Sequence, residues 1–295
     1  MRILFIGCVE SSYRLLKKLI EEKVSVAGVI TKEASGFHAD FCDLRPLCVE
    51  HGIPCFYAHN VNDLDSMEFI RSLAPDAGFC FGWSQLLKQE LLDLFPQGVA
   101  GFHPAALPHN RGRHPVIWAL ALGLEETASA FFMINAGADE GDIISLRPVS
   151  ICYEDDARML YDKIMDAALQ QEMEIVAGME QGTLRRIPQR ASEGKTWRKR
   201  GKKDGEIDWR MSGRNIYNLV RSLARPYPGA HFVFGGTEYK VWKVQETDTA
   251  GFENLEPGKV LAVNPDGTMD VKAGSGGIRL VEFDAVAVKE GDYLL

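Results

Sequence analysis

RILFIGCVESSYRLLKKLIEEKVSVAGVIT (residues 2–31) passes through three hydrophobic rhythms. RILFIG (2–7) is a short apolar run that stops at Gly7. SYRLLKKLIEEK (12–23) places its apolar residues at helical spacing, and VSVAGVIT (24–31) returns to strand character. Strand, helix and strand in that order form a βαβ unit. The rhythm then repeats. LRPLCVEHG (44–52) reads as a helix ended by Gly52, IPCFYA (53–58) as a strand, and SMEFIRSLA (66–74) as a helix. DAGFCFG (76–82) is strand-like, KQELLDLF (88–95) is helical up to Pro96, and GVAGFH (98–103) is strand-like. Such alternation predicts an α/β fold class, a Rossmann-like parallel sheet with helices on both faces.

Further along, PVIWALALG (115–123) reads as a helix, and TASAFFMI (127–134) and IISLRPVSI (143–151) as strands. Residues 156–182 form a long amphipathic helix ended by Gly182. The character then changes. QRASEGKTWRKRGKKDGE (189–206) is polar and basic, and reads as a linker. Beyond it come a helix, SGRNIYNLVRSLA (212–224), and short strands separated by turns such as Pro265-Asp266-Gly267. These predict a small β-rich domain, a barrel or an open sheet. The expected organisation is a catalytic domain over 1–188, a linker over 189–206 and a C-terminal domain over 207–295.

The 295 residues are 46% hydrophobic and 25% charged, the composition of a globular protein with one large or two ordinary domains. No apolar run approaches the ~20 residues that span a bilayer. Acidic and polar residues follow the first apolar positions too soon for a signal peptide. The six cysteines form no CxxC pair, which points to reduced thiols in a cytoplasmic protein. A net charge of −8 argues against a surface that coats nucleic acid.

The chemistry concentrates in GFHPAALPHNRGRHPVIWALALGLEETASAFFMINAGADEGD (101–142). His103 lies in a Pro-rich, Arg-containing loop, and Asp139 in a Gly-bracketed acidic turn. A histidine and an aspartate displayed on separate turns can form a base and the group that orients it. The plainer reading makes His103 a turn histidine bonded to local backbone, and Asp139 a turn acid. Asp142 is the competing acid. His103, His109 and His114, with Asp139 and Asp142, also raise a metal site, but they lie in a loop with three prolines and no HExxH is present. Gly7 is not followed by a GxGxxG, so a dinucleotide site is not expected and no metal is assigned.

PQGVAGFHPAALPHNRGRHPVIWAL (96–120), followed by GADEGDI (137–143), resembles the core motif of the folate-dependent formyltransferases. That family's pattern runs Asn-x-His, Ser-Leu-Leu-Pro, Arg-Gly and Asp-x-Gly-Asp. KKDGEIDW (202–209), NLVRSLARPYPGA (218–230) and YKVWKV (239–244) resemble its linker and small domain, so the likeness covers nearly the whole chain in the family's order. The resemblance implies a β-rich, OB-like C-terminal domain. It implies transfer of a formyl group from N10-formyltetrahydrofolate to a primary amine. His103 takes the place of the family's histidine and handles the amine proton or the oxyanion. Asp139, 36 residues later, matches its aspartate and fixes the imidazole tautomer. Gly82, Trp83, Ser84, Gln85, Leu86 and Leu87 match the loop that holds the pterin edge, and Gly137 and Ala138 complete the folate contacts. Asn110 and Arg111, with Gly112 and Arg113, match an Arg-Gly loop that faces the acceptor or holds itself together.

The departure is Gly101, where the family has an asparagine whose carboxamide donates to the formyl oxygen. Loss of one oxyanion donor commonly costs about 10²–10³ in rate. A water or backbone N–H in the space freed by Gly101, a side chain such as Asn110, Ser84 or Gln85, or loss of transfer activity would each account for it.

Methionyl-tRNA formyltransferases carry a basic insertion after the second strand. The corresponding TKEASGFHADFCDLRPLC (31–48) has only Lys32 and Arg45 against Glu33, Asp40 and Asp43. A loop that grips nucleic-acid phosphates should be net basic. The chain is therefore closer in character to the sugar N-formyltransferases of polysaccharide biosynthesis, whose acceptor is an amino sugar linked to a nucleotide. The expected partners are small molecules and a second copy in a homodimer, with no membrane. The basic run WRKRGKK (197–203) either meets acceptor phosphates or is a solvated linker. A non-catalytic folate- or sugar-nucleotide-binding module is the other class of reading.

Overall fold

Ile3, Leu4, Phe5 and Ile6 are fully buried and form β1 (Ile3–Ile6). A strand covered on both faces needs an unbroken apolar run, which is why this one does not alternate. The computed structural model describes residues 1–36, 40–137, 139–190 and 194–294. They divide into two units: residues 1–112, 128–149 and 163–196, and residues 113–127, 150–162 and 197–295.

The first unit is built on a seven-stranded sheet. β1 pairs in parallel with β2 (Val26–Thr31), and β2 with β3 (Cys55–Tyr57). On its other side β1 pairs with β4 (Ala77–Cys80), and β4 with β5 (Val99–His103), again in parallel. β7 (Glu126–Met133) and β8 (Ile143–Ser150) complete the order β3-β2-β1-β4-β5-β7-β8. The order reverses between β1 and β4, so the loops after β1, β4 and β5 open at a topological switch point, the usual ligand crevice of such sheets.

α1 (Glu10–Glu21) buries Leu15, Leu16 and Leu19, while Lys17–Glu21 and Lys18–Glu22 pair one turn apart on its outer face. α2 (Arg45–Glu50), α3 (Leu64–Leu73) and the single turn α4 (Gln89–Leu92) complete the crossovers between β2 and β5. Asp63 caps α3 by accepting from the Ser66 N–H at 2.8 Å. Phe81 meets Phe5 and Phe131 edge-on at 5.5 and 5.4 Å, a preferred aromatic geometry.

Two features add to the expected architecture. The sheet is mixed, because β7 runs antiparallel to β5, in a register that sets Gly101 opposite Phe132 and His103 opposite Ala130. The reason is α5 (Pro115–Ala121), which belongs to the second unit, packs its Ile117 into that unit's core, and so provides no right-handed crossover. The polar stretch 189–206 is also more than a linker. Within it β9 (Thr196–Trp197) pairs with β6 (Arg111–Gly112), and Lys202–Gly205 form a 3-10 turn. Residues 191–193 lie outside the described residues.

α6 (Ala157–Glu180) contributes residues to both units. The second unit sets α7 (Gly213–Ser222) against a five-stranded antiparallel sheet and packs α5 against α7. Its strands are β10 (Ala230–Phe234), β11 (Thr237–Thr247), β12 (Val260–Val263), β13 (Met269–Lys272) and β14 (Gly277–Phe283). Their order is β10-β11-β14-β13-β12. The β-rich C-terminal domain expected from sequence is thus an antiparallel sheet. Among the described residues no helix is long and apolar enough to cross a membrane.

Candidate active site

His103 is the last residue of β5 and is buried, 6% exposed. Its Nε2 lies 3.1 Å from the Asn110 carbonyl oxygen. A carbonyl only accepts, so Nε2 carries the proton and the neutral ring keeps its lone pair on Nδ1. Nδ1 faces Asp139 Oδ2 at 3.8 Å. The nitrogen that meets a hydrogen-bond acceptor is thus held by the turn residue Asn110, while Asp139 stands beside the other.

Asn110 and Asp139 both take the left-handed conformation, with φ of 62° and 58°. Asparagine and aspartate tolerate it better than other residues with a side chain. The Asp139 carboxylate accepts from the Gly112 N–H at 3.3 Å. A residue the sequence reading missed completes the frame. Gln189 donates from Nε2 to the Asp139 and Gly141 carbonyls at 3.0 and 2.7 Å. Its Oε1 accepts from Arg111 Nε and Nη2 at 3.1 and 2.7 Å. Arg111 is buried and its guanidinium is used in this clamp. Nothing in the polar 189–206 stretch marks Gln189 by composition, since its partners are 78 and 50 residues away.

The space at Gly101 is not free. A Cβ there would stand 2.8 Å from Phe132 Cζ and 2.9 Å from Ile134 Cγ1. Phe132 belongs to an apolar cluster with Leu107, Ala130 and Ile143. A water in a space left by glycine is therefore excluded, because side chains from β7 and the residue after it already fill it. Gln85 is committed as well: it accepts from the Val61 N–H at 3.1 Å and donates to the His59 carbonyl at 2.9 Å. The Asn110 carboxamide makes no hydrogen bond to any described residue, and neither does the Ser84 hydroxyl.

The loop after β4 is tightly built. Gly82 has φ +68°, and a Cβ on it would stand 2.1 Å from Val9 Cγ2. The Trp83 indole N–H is buried and meets no acceptor among the described residues, while Lys32 Nζ lies 4.8 Å from the ring. Leu86 is exposed, and Leu87 is buried in the core. Asn62, also missed from sequence, pins the loop: it donates to the Leu86 carbonyl at 2.9 Å and accepts from the Lys88 N–H at 2.8 Å. Gly137 donates its N–H to Asn135 Oδ1 at 3.0 Å, and Ala138 lies outside the described residues.

In the second unit the basic run 197–203 is largely paired. Arg198 bonds Asp204, and Lys202 bonds Glu238 at 2.6 Å. Arg198 and Arg200 both lie against the Trp118 ring, at 5.3 and 4.6 Å. Burial, with Arg200 and Arg113 nearby, holds the His114 imidazole below its ordinary value, which keeps it neutral. Among the described residues no three His, Cys, Asp or Glu side chains converge on a metal-sized site.

An imidazole held by a backbone carbonyl beside a carboxylate, at the carboxyl end of a strand in a doubly wound sheet, is an arrangement suited to proton handling. The chain belongs to the formyl transferase family: the family's formyl transferase model matches residues 1–176, and its C-terminal domain model matches 199–290. HypX from Aquifex aeolicus, solved with tetrahydrofolic acid, superposes with a TM-score of 0.68 at 19% identity over 96% of this chain and 44% of its own. This chain thus spans under half the length of the HypX chains it matches. An N-formyltransferase from Helicobacter canadensis, in complex with folinic acid and dTDP-3-aminofucose, gives a TM-score of 0.71 at 14% identity, covering 96% and 99%. WlaRD, a sugar 3N-formyl transferase solved with dTDP and 5-N-formyl-THF, gives 0.70 at 16%, covering 95% and 97%. At such identities these likenesses establish the fold.

Proposed function

We propose that the protein transfers a formyl group from N10-formyltetrahydrofolate to the primary amine of a nucleotide-linked amino sugar in the cytoplasm. The observation that carries this reading is His103, held at Nε2 by the Asn110 carbonyl with Nδ1 facing Asp139. The attacking amine must be neutral and must lose a proton as the new C–N bond forms. Nδ1 is the free basic atom for that proton, and Asp139 stabilises the imidazolium. The developing charge on the formyl oxygen needs a donor. With Gly101 enclosed by Phe132 and Ile134, that donor is the Asn110 carboxamide, on the residue that already touches His103. The folate donor is assigned to the Gly82–Leu87 loop and the Gly137 turn, where the unpartnered Trp83 N–H and exposed Leu86 fit a flat heterocycle with polar edges.

A sugar acceptor fits better than charged tRNA. Both cations of segment 31–48 are already engaged: Lys32 lies over Trp83, and Arg45 lies 3.7 Å over the Tyr57 ring and donates to the Cys55 carbonyl. Residues 37–39 of that segment lie outside the described residues. Of two solved relatives, one was solved in the presence of dTDP and one in complex with dTDP-3-aminofucose, the chemistry proposed here.

The test is release of tetrahydrofolate from N10-formyltetrahydrofolate in the presence of dTDP-amino sugars, with charged initiator tRNA as the competing acceptor. Formylation of the sugar amine is expected. Folate binding without turnover on any amine would make the chain a binding module, and formylated tRNA would replace the sugar reading.

A further inference from the structure

The loop after β3 (residues 58–63) and the loop after β4 (residues 82–88) hold each other by their side chains. Asn62, in the first, donates from Nδ2 to the Leu86 carbonyl at 2.9 Å and accepts at Oδ1 from the Lys88 N–H at 2.8 Å. Gln85, in the second, accepts at Oε1 from the Val61 N–H at 3.1 Å and donates from Nε2 to the His59 carbonyl at 2.9 Å. Each carboxamide meets one backbone donor and one backbone acceptor of the opposite loop. A flipped amide would set donor against donor in both, so the two orientations are fixed by their partners. β3 and β4 are separated in the sheet by β2 and β1, so the clasp is made by the loops and owes nothing to strand pairing.

Both halves of the clasp stand on rigid ground. Asn60 Oδ1 accepts from the Asn62 N–H at 3.1 Å, and Asp63 next to it caps α3. Val61 and Leu87 are buried in one apolar cluster with Leu4, Ile30 and Leu91. The Ser12 hydroxyl donates to the Phe81 carbonyl at 2.6 Å and fixes the entry of the second loop. Between the clasped Gln85 and the core-bound Leu87, the Leu86 side chain is left 58% exposed. A large apolar side chain displayed on a backbone held from both sides is a preformed surface, whose ordering cost is met on folding and not on binding.

We propose that Asn62 and Gln85 are positioning residues for the folate donor: their reciprocal clasp sets the 82–88 loop in its binding shape before the ligand arrives. The proposal rests on the assignment of the folate to that loop. The two carboxamides act through what the loop presents, the exposed Leu86 and the Trp83 indole N–H that meets no acceptor among the described residues. With either half of the clasp broken, the ligand itself has to order the loop, and affinity falls more than the chemistry at His103 does. The halves work as one unit, because each carboxamide holds the backbone beside the other.

The experiment compares the full chain with Asn62→Ala, Gln85→Ala and the double variant. Folinic acid binding is measured by calorimetry, Tm by thermal melts, and amide exchange by NMR without ligand. Each single variant should bind folinic acid about three- to tenfold more weakly, and the double variant little worse than the weaker single. In ligand-free Asn62→Ala the Val61 N–H, which Gln85 holds, should exchange about fivefold faster. In Gln85→Ala the Lys88 N–H should do the same. A purely structural pair would lower Tm and leave the affinity of the folded protein unchanged, which would overturn the positioning role. Independent exchange of Val61 and Lys88 would overturn the clasp as a unit. Wild-type protein that does not bind folinic acid would sink the folate reading itself and the positioning role with it, whereas wild-type binding with unmoved variants sinks the positioning role alone. Asn62→Asp and Gln85→Glu, which are isosteric and keep only the acceptor, replace the alanine variants if those do not fold, with the same loss of affinity expected.

Discussion

The Phe132 ring occupies the place where a side chain at Gly101 would begin. The two residues are antiparallel partners on β5 and β7, and a Cβ at Gly101 would lie 2.8 Å from Phe132 Cζ. Phe132 is 5% exposed and Ile134 closes the other side, so neither moves without opening the core. Glycine and phenylalanine are here one structural choice: the strand gives up a polar side chain two residues before His103 and gains an apolar wall.

Gly101→Asn should therefore destabilise the protein by about 1–3 kcal/mol instead of restoring a donor. Phe132→Ala alone should cost about 3–5 kcal/mol. The double variant should cost clearly less than the two combined, because each change relieves the other. Urea unfolding of the three variants measures the coupling, and strict additivity would show that the side chains do not compete for one space.

His103→Ala and Asp139→Asn should each lower turnover by about 10²–10⁴ while leaving binding of a folate analogue nearly unchanged. Asn110→Gly separates the two roles of Asn110. Glycine accepts the φ of 62° and keeps the carbonyl that holds His103, but it removes the carboxamide. Turnover should fall about 10²-fold with little loss of stability if the carboxamide is the oxyanion donor. Full activity in Asn110→Gly would move that role elsewhere, with Ser84 next in line.

Gln189 is a positioning residue, acting through the turn that carries Asp139. Gln189→Leu leaves the buried Arg111 guanidinium without its acceptor and should cost about 2–4 kcal/mol. In Gln189→Glu the carboxylate still accepts from Arg111, but it cannot donate to the Asp139 and Gly141 carbonyls. Stability should exceed that of the leucine variant while turnover stays low. Thermal melts and kcat measured together distinguish this from a purely structural residue, for which the two would recover in step.

Glu172 is fully buried on α6, and neither carboxyl oxygen has a hydrogen-bond partner among the described residues. Burial pushes its carboxyl well above the usual carboxylate range, with Lys18 opposing weakly. Folding therefore takes up a proton once the unfolded side chain has ionised. The destabilisation is absent below the unfolded value near 4.5 and grows as pH rises toward the folded value. Glu172→Gln should raise Tm at pH 7 to 8 and converge with the wild type near pH 4. A constant difference across that range would assign the effect to packing.

The sequence alone determined the strand and helix order of the first unit and the β-rich end of the chain, and it marked His103 and Asp139 as candidates. These are local properties: RILFIG reads as a strand because its apolar run is short and unbroken, and the Pro-rich and Gly-bracketed loops are marked by their own composition. Tertiary structure decided what depends on neighbours distant in sequence. It turned β7 antiparallel, since α5 packs into the other unit's core. It set one His103 nitrogen against the Asn110 carbonyl, a backbone group with no side-chain signature. It drew Gln189 from an apparent linker to hold both Arg111 and the Asp139 turn. It also set Phe132 against Gly101, and so turned a missing side chain into a filled space. Register and burial are collective properties of the packed chain, and no single stretch of sequence encodes them.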